Sequence, residues 1–313
     1  MHMADGLISG TVGGVMAAAS VAIIAYSIKR IKSDDKTIPM MGVMGAFVFA
    51  MQMINFTIPG TGSSGHIVGG TLLAATLGVY PAIIVTACVL IIQCLLFADG
   101  GLLALGCNIF NMSVPFVVMY TLIFKPILKN GVTSSKLTIA SILSVVLGLQ
   151  LSAFGVVLET TASGITALPF LPFVLAMQPI HFVIGIVEGV ITAAVLIFVY
   201  KMRPEILEDK EVMSVKVLAV TIALLAVLIG GGLSMFASGY PDGLEWSMEK
   251  VAGTTELEGS SAIHETMAEA QKSTAFMPDY NSKIAGIVGG ALTLLLAVAI
   301  GFAISFFSKK RTA

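Results

Sequence analysis

The sequence contains few charged residues. Only 11% of its 313 residues are Asp, Glu, Lys or Arg, whereas a soluble domain has about 25%. Hydrophobic residues make up 57%, and the mean hydropathy is +0.97. The net charge of -1 provides no basic surface for nucleic acid. We therefore predict an all-α polytopic membrane protein, because the apolar runs are about 17–25 residues long rather than the alternating segments of a barrel.

Other features are also scarce or missing. The three cysteines, Cys88, Cys94 and Cys107, lie within or at the ends of apolar runs without a CxxC pair, which predicts small buried side chains rather than a redox or zinc site. Positive charge follows the first apolar run instead of preceding it, which argues against a secretory signal. The stretch GTGSSGH lacks the phosphate-loop lysine, and IHETM lacks the second histidine of a zinc protease. We expect no enzyme activity from this chain.

Apolar runs predict about nine transmembrane helices, a seven-helix bundle followed by a two-helix module. The runs are 7–28, 39–56, 66–79, 81–97, 102–124, 137–158, 178–200, 216–238 and 284–307. Only Tyr80-Pro81 separates the third from the fourth. We predict a bundle over 1–200, a charged cytoplasmic linker over 201–216, and a module over 217–313 with an acidic outer loop at 239–282.

Basic residues predict the orientation. Cytoplasmic loops are enriched in Lys and Arg, and nine spans place fourteen of the 17 basic residues on one side. These are Lys29, Arg30, Lys32, Lys36, Lys125, Lys129, Lys136, Lys201, Arg203, Lys210, Lys216, Lys309, Lys310 and Arg311. We expect the N-terminus outside and the C-terminus in the cytoplasm. The polar segments 57–66, 98–101, 159–177 and 239–282 then share the outer side with the N-terminal tip, which favours a site that faces outward.

The first two residues offer three nitrogen ligands in a row. The α-amine of Met1 and the amide of His2 can close a five-membered chelate ring on a metal, and that amide with His2 Nδ1 closes a six-membered one. The planar peptide keeps these donors nearly coplanar. A fourth nitrogen would complete a square that suits Ni²⁺ or Cu²⁺ and that Co²⁺ can adopt. The alternative is a solvated terminal histidine.

His66 is the candidate fourth ligand. It ends a loop of small residues, Gly62-Ser63-Ser64-Gly65, that lets the backbone approach closely. It also falls on the predicted outer side with the tip. The alternative is a histidine at a helix N-terminus that bonds a backbone carbonyl.

Four segments resemble the CbiM/NikM family of substrate-binding membrane subunits of cobalt or nickel energy-coupling-factor transporters. They are MHMADGLIS, GTGSSGHIVGG, FADGGLLALGCNIFNM and PIHFVIGIVEG, and the tail segment SGYPDGLEW resembles the PDGLE domain. The resemblance implies that Met1, His2 and His66 hold Co²⁺ or Ni²⁺ as the transported substrate. It also implies a polar tip folded into the bundle, a multi-pass protein of a prokaryotic cytoplasmic membrane, and three partners: a transmembrane coupling subunit and two cytoplasmic ATPases.

Further polar residues are candidates for support of this site. Asp5 could hold the tip by accepting N–H bonds or could cap the first helix. Asp99, Asn108 and Asn111 could line the site or bond between helices. His181 and Glu188 lie seven residues apart on one helix face, with Gln178 nearby, and read as a structural polar stripe or as binding residues. His264 is predicted to be a solvated loop residue.

Small residues recur every four positions along the first span, at Gly10, Gly14, Ala18 and Ala22. Such a stripe lets another helix approach closely. The resemblance favours docking of the coupling subunit in the lipid bilayer over packing within the chain. An alternative function is a stand-alone secondary transporter or channel for a cation or small solute, but the sequence has no inverted repeat, and Glu188 is its only clear mid-span carboxylate.

Overall fold

A computed structural model describes residues 1–31, 36–208, 214–280, 282 and 284–312, with no side-chain description beyond 306. The predicted all-α class is confirmed, since a two-stranded hairpin is the only sheet in the described part. Within these ranges, seven helices are long and apolar enough to cross a membrane, and Thr37–Gln52 is a shorter apolar helix. The chain is thus a multi-pass membrane protein. Lys32, Lys210, Lys283 and part of the predicted linker, 209–213, lie outside the described residues, so the orientation stays a prediction.

The helices follow the predicted runs in order. The first four are α1 Gly10–Arg30, α2 Thr37–Gln52, α3 Gly70–Leu77 and α4 Val79–Phe97. Helix α5 Leu105–Met119 continues through a π turn, Tyr120–Phe124, into α6 Lys125–Leu128. Then come α7 Ser134–Ser163, α8 Phe170–Met202 and α9 Pro204–Leu207, and the C-terminal part contains α10 Lys216–Gly231, α11 Gly243–Ala252, α12 Ala262–Thr274 and α13 Ala285–Thr312. Strands β1 Phe56–Ile58 and β2 Ser63–Gly65 pair antiparallel.

The prediction of a continuous third helix over 66–79 is wrong. Only α3 is helical there, and its eight residues extend about 12 Å against the roughly 30 Å of a bilayer core. The residues before α3 are buried in the protein, where non-helical backbone at membrane depth is tolerated. Gly78, with a φ of +87°, separates α3 from α4, two residues before the expected break at Tyr80-Pro81. The second helix also ends earlier than predicted, at Gln52 instead of residue 56, where β1 begins.

The connections predicted to lie outside are shorter or more helical than the sequence suggests. Helices α7 and α8 extend past their predicted ends, so the predicted loop 159–177 shrinks to 164–169. The predicted loop 239–282 contains α11 and α12. These two helices are amphipathic rather than apolar, and the periodicity of long apolar runs does not report them.

Helices α10 and α13 of the predicted C-terminal module pack against α2. Glycines make this possible. A Cβ on Gly289 would collide with the ring of Phe49, and a Cβ on Gly286 would collide with the backbone at Gly230. Small residues bring helices close in lipid, where dispersion rather than water exclusion drives association.

Helix α1 also packs closely against α5 at a glycine. A Cβ on Gly106 of α5 would collide with the backbone of Ala17, and Ser20 Oγ donates to the Gly106 carbonyl at 2.7 Å. Gly14 on α1 has no atom within 4 Å of its Cβ position.

Gly106→Ala should therefore lower the thermal stability of the detergent-solubilised protein by the equivalent of about 2 kcal/mol through overpacking. Gly14→Ala is the matched control, because it adds the same methyl to a helix and should be neutral or stabilising by up to about 1 kcal/mol. Equal unfolding temperatures for the two variants would contradict the close α1–α5 contact.

Candidate metal centre

The N-terminal tip is inserted into one end of the helix bundle. Met1, Met3, Leu7 and Ile8 are all at most 4% exposed and belong to one hydrophobic cluster with α5, α7 and α8. Burial of each such side chain contributes about 2 kcal/mol. Apolar anchors on either side of His2 thus fix the tip.

Asn108 holds the tip backbone. Its Oδ1 accepts from Met3 N at 2.8 Å, and its Nδ2 donates to Met3 O at 3.1 Å. The Gly101 amide donates to the same carbonyl at 2.8 Å. Gly100, with a φ of +77°, leaves the room, since a Cβ there would lie 2.8 Å from Asn108 Nδ2. The polar backbone of the tip is therefore satisfied inside the protein, as burial requires.

The amine of Met1 lies beside His66. The Met1 nitrogen is 2.7 Å from His66 Nε2, and the other ring nitrogen, Nδ1, is 3.3 Å from the carbonyl of Ile67. A carbonyl only accepts hydrogen bonds, so Nδ1 carries the ring proton and Nε2 presents a lone pair to the amine. Burial, followed by the charge of the amine, lowers the pKa of His66 well below its usual range, which keeps the ring neutral.

His2 stacks on His66, with ring centroids 5.1 Å apart and planes at 14°. Its Nε2 is 3.2 Å from Gln93 Oε1, and its Nδ1 is 3.2 Å from Asp99 Oδ1. The other Asp99 oxygen accepts from the Tyr280 hydroxyl at 2.5 Å. Burial lowers the pKa of His2 although Asp99 opposes the shift.

Asp242 is a site residue that sequence reasoning missed. Its side chain forms an ion pair with the Met1 amine. It also caps α11 by accepting from Leu244 N at 2.8 Å and Glu245 N at 3.0 Å. Burial raises the pKa of Asp242, but the Met1 ammonium outweighs burial, so the pKa is well below its usual range. The capping pattern, Asp followed three residues later by Glu, was readable in the sequence. The contact of Asp242 with the Met1 amine, 241 residues away along the chain, was not.

The predicted supporting residues fall into two groups, and the first contacts the tip. Asp5 accepts from Ala104 N at 3.0 Å. It does not cap the first helix, because Ser9 caps α1. Asn111 Nδ2 lies 4.0 Å from Met3 Sδ and donates to Glu159 at 2.7 Å. With Asp99 and Asn108, these residues surround the tip without all facing His2.

The second group supports the site from α8. Glu188 Oε1 accepts from the Gly69 amide at 2.9 Å and so fastens the segment that follows His66. His181 bonds the Met177 carbonyl through Nδ1 at 2.7 Å and abuts Gly243 of α11. Both side chains are buried. Gln178 instead exchanges hydrogen bonds with Gln150 of α7.

The prediction of a solvated His264 is wrong. The residue is 6% exposed, its Nε2 is 2.9 Å from the carbonyl of Ile8, and its Nδ1 is 2.6 Å from Ser261 Oγ. It lies on α12, which contacts the N-terminal tip through this residue. The acidic composition of the loop concealed this helix and its one buried contact.

Side chains alone do not make a metal site here. Among the described residues, no group of three or more His, Cys, Asp or Glu side chains is placed to hold a metal ion. A metal ion bound by the two stacked imidazoles would therefore need further ligands from the backbone. The amine of Met1 and the amide of His2 are the backbone nitrogens beside these rings.

An open cavity of about 740 Å³ leads to His2 and His66. No Lys or Arg of the described residues lines this cavity. Its carboxylates come from both halves of the chain and are Asp5, Asp99, Asp242, Glu245, Glu256, Glu258, Glu265 and Asp279. A cleft lined by one sign of charge raises the local concentration of the opposite ion. The cavity is thus suited to cations.

The small-residue stripe of α1 is mostly unpacked within the described chain. Gly14, Ala18 and Ala22 are exposed, whereas Gly10 is half-buried against Ile263. Packing within the chain therefore accounts for Gly10 alone. The three cysteines are free and buried, as predicted.

Residues 2–206 match the family model CbiM, described as the cobalt uptake substrate-specific transmembrane region. The chain belongs to the CbiM family. Residues 216–306 match the PDGLE domain, and the letters PDGLE stand at 241–245. The resemblance read from the motifs is thus confirmed, and Asp242 is the aspartate of that sequence.

Curated relatives match this chain over most or all of its length. A putative fused nickel transport protein NikMN of Archaeoglobus fulgidus is 33% identical over 312 residues, 99% of each chain. The cobalt transport protein CbiM of Geobacter sulfurreducens is 25% identical over 271 residues, 80% of this chain and 78% of its own. A solved structure titled as a truncated transition metal transporter has a TM-score of 0.57 at 34% identity, covering 64% of this chain and 99% of that one. This CbiM-family chain is accordingly a membrane transport protein of a prokaryotic cell membrane and not an enzyme.

Asp242→Asn tests the ion pair separately from the cap, because Asn caps helices as well as Asp. We expect the metal-free protein to lose about 3 kcal/mol of unfolding free energy at about pH 6.5, since a buried ammonium loses its counter-ion. Denaturant unfolding in detergent measures this loss.

Glu245→Gln is the control for the Asp242 variant. It perturbs only the capping box and should change the stability by less than about 0.5 kcal/mol. A similar loss for both variants would mean that the helix cap, not the ion pair, stabilises this region.

Proposed function

We propose that this chain captures Ni²⁺ or Co²⁺ at the outer face of the membrane as the substrate-binding subunit of an energy-coupling-factor importer. The ion is held by the amine of Met1, the amide and Nδ1 of His2, and Nε2 of His66. The family match and the nickel and cobalt transport relatives support the substrate class. They leave the choice between the two metals open.

The contact between the amine and His66 carries the proposal. Two nitrogen ligands at right angles, each with a metal–nitrogen bond of about 2.0 Å, lie about 2.8 Å apart. The Met1 nitrogen and His66 Nε2 are 2.7 Å apart. The metal-free protein therefore already holds these donors at the spacing of neighbouring corners in a square of ligands.

Charge around the donors supports the same proposal. The metal replaces the protons of the amine and amide, and its positive charge takes the place of the ammonium beside Asp242. Asp99 provides a second carboxylate 3.2 Å from His2 Nδ1. Ligand nitrogens favour late transition metals over Mg²⁺ or Ca²⁺, which prefer oxygen.

Transport requires partners beyond this chain. We propose that the exposed stripe Gly14, Ala18 and Ala22 on α1, with Gly10 at its outer end, faces a transmembrane coupling subunit within the bilayer. Two cytoplasmic ATPases would supply the energy. The exposure of this stripe, where the described chain offers no packing partner, supports the arrangement.

Two residues added before Met1 should abolish high-affinity Ni²⁺ and Co²⁺ binding, with a loss of at least about a hundredfold. The extension moves the amine away and makes the His2 amide internal. Isothermal titration of the purified, untagged protein measures the affinity. The same two residues inserted between Asn130 and Gly131, in the turn before α7, form the control, and an unchanged affinity of the N-terminally extended protein would refute the proposed ligands.

Metal affinity should rise with pH. The ammonium and the amide each release a proton on binding, and each adds about tenfold in affinity per pH unit. The pKa values of His2 and His66 are lowered, so their rings are already neutral above about pH 6.5 and add no further slope. Competition titrations from about pH 6.5 to about pH 7.5 should give a rise of about a hundredfold per unit, whereas a flat profile would exclude the amine and amide.

A further inference from the structure

Two buried glutamines connect His2 to the loop that carries His66. Gln52, at the end of α2, donates from Nε2 to the Val68 carbonyl at 2.8 Å. Gln93, inside α4, donates from Nε2 to Gln52 Oε1 at 2.8 Å. Gln93 Oε1 then faces His2 Nε2 at 3.2 Å.

These glutamines are 5% and 1% exposed, and both lie in apolar helices. A buried side-chain amide is unfavourable by several kcal/mol unless it is hydrogen-bonded. Their presence in the core therefore needs a compensating interaction, and the chain of hydrogen bonds to His2 supplies it.

The direction of this chain of hydrogen bonds is fixed at one end. A backbone carbonyl only accepts, so the NH₂ group of Gln52 must point to Val68. Gln52 then presents its oxygen to Gln93, which must donate in turn and present its own oxygen to His2. A neutral His2 ring satisfies that oxygen only with its proton on Nε2, which leaves the lone pair on Nδ1.

We propose that Gln52 and Gln93 are positioning residues that set the tautomer of His2 and free its Nδ1 for the metal. This inference rests on the proposed function, in which Nδ1 closes the six-membered chelate ring with the His2 amide. The Nε2 atom is on the far side of the ring and cannot close it. The opposite tautomer would place a proton on the ligand atom.

The same chain of hydrogen bonds places the two imidazoles relative to each other. It ends on Val68, two residues after His66, and the next amide, that of Gly69, is held by Glu188 at 2.9 Å. His66 is fixed in the complementary tautomer by the Ile67 carbonyl. One short loop therefore sets both the spacing of the rings and the nitrogen that each ring presents.

Asp99 gives a reason for fixing the tautomer. Its Oδ1 is 3.2 Å from His2 Nδ1. A proton on Nδ1 would therefore form a charge-assisted hydrogen bond with Asp99, and this bond would compete with metal binding at Nδ1. The Gln93 oxygen can accept only from the opposite nitrogen and so counteracts this bond. Asp99 then faces a lone pair, an arrangement that a divalent cation relieves.

Nitrogen-15 NMR of the metal-free, histidine-labelled protein tests the tautomer directly. The chain has four histidines, and loss of one set of signals in His2→Ala assigns His2. We expect the proton of His2 on Nε2 in the wild type and a mixture of tautomers in Gln93→Leu. Ni²⁺ affinity should fall about tenfold in Gln93→Leu, as for other residues that orient metal ligands.

Gln93→Glu and Gln150→Leu complete the experiment. A glutamate still accepts from His2 Nε2 and should keep the wild-type tautomer, whereas Gln150→Leu removes a similar amide away from the site and should change neither tautomer nor affinity. The proton on Nδ1 in the wild type, or an unchanged tautomer in Gln93→Leu, would overturn the proposal. Because the spectra are recorded without metal, they decide this point even if the N-terminal extension shows the proposed ligands to be wrong.

Discussion

A positive charge buried at the N-terminus organises the end of the protein into which the tip is inserted. The Met1 amine is removed from water by the apolar side chains around it, and such a charge is tolerated only with a paired, hydrogen-bonded partner. Asp242 from the far end of the chain supplies the charge, and His66 supplies a lone pair at 2.7 Å. The tip, the hairpin loop and the C-terminal part are thereby brought to one point.

The C-terminal part consequently covers the site rather than standing beside it. Ser64 N donates to the Pro241 carbonyl at 2.8 Å, and Ser238 N donates to Asn55 O at 2.7 Å, so the segment before α11 lies along the β1–β2 hairpin. Helix α12 contributes His264 and Gln271, whose Nε2 donates to the Gly100 carbonyl at 2.7 Å. Each of these contacts ends on a segment that itself touches the tip. The open cavity that reaches His2 and His66 therefore lies between the two halves of the chain.

The long apolar runs made much of this fold predictable. The nitrogen ligands of the first two residues and the glycine-rich loop identified Met1, His2 and His66 as a group. The structure brings these three together. The broken third crossing was not predictable from hydropathy, because Ile67 and Val68 are as apolar in an extended segment as in a helix. Asp242, Gln52 and Gln93 were missed because their roles depend on contacts across 241, 16 and 91 residues of sequence. His264 was misread because an acidic loop conceals a single buried contact.

The most direct test is a crystal structure of the Ni²⁺-loaded protein with its authentic N-terminus, using anomalous scattering at the nickel edge to locate the ion. The account predicts one ion about 2 Å from each of four nitrogen atoms, those of the Met1 amine, the His2 amide, His2 Nδ1 and His66 Nε2, in a plane. An ion bound elsewhere, with the Met1 nitrogen far from the His66 ring, would contradict it.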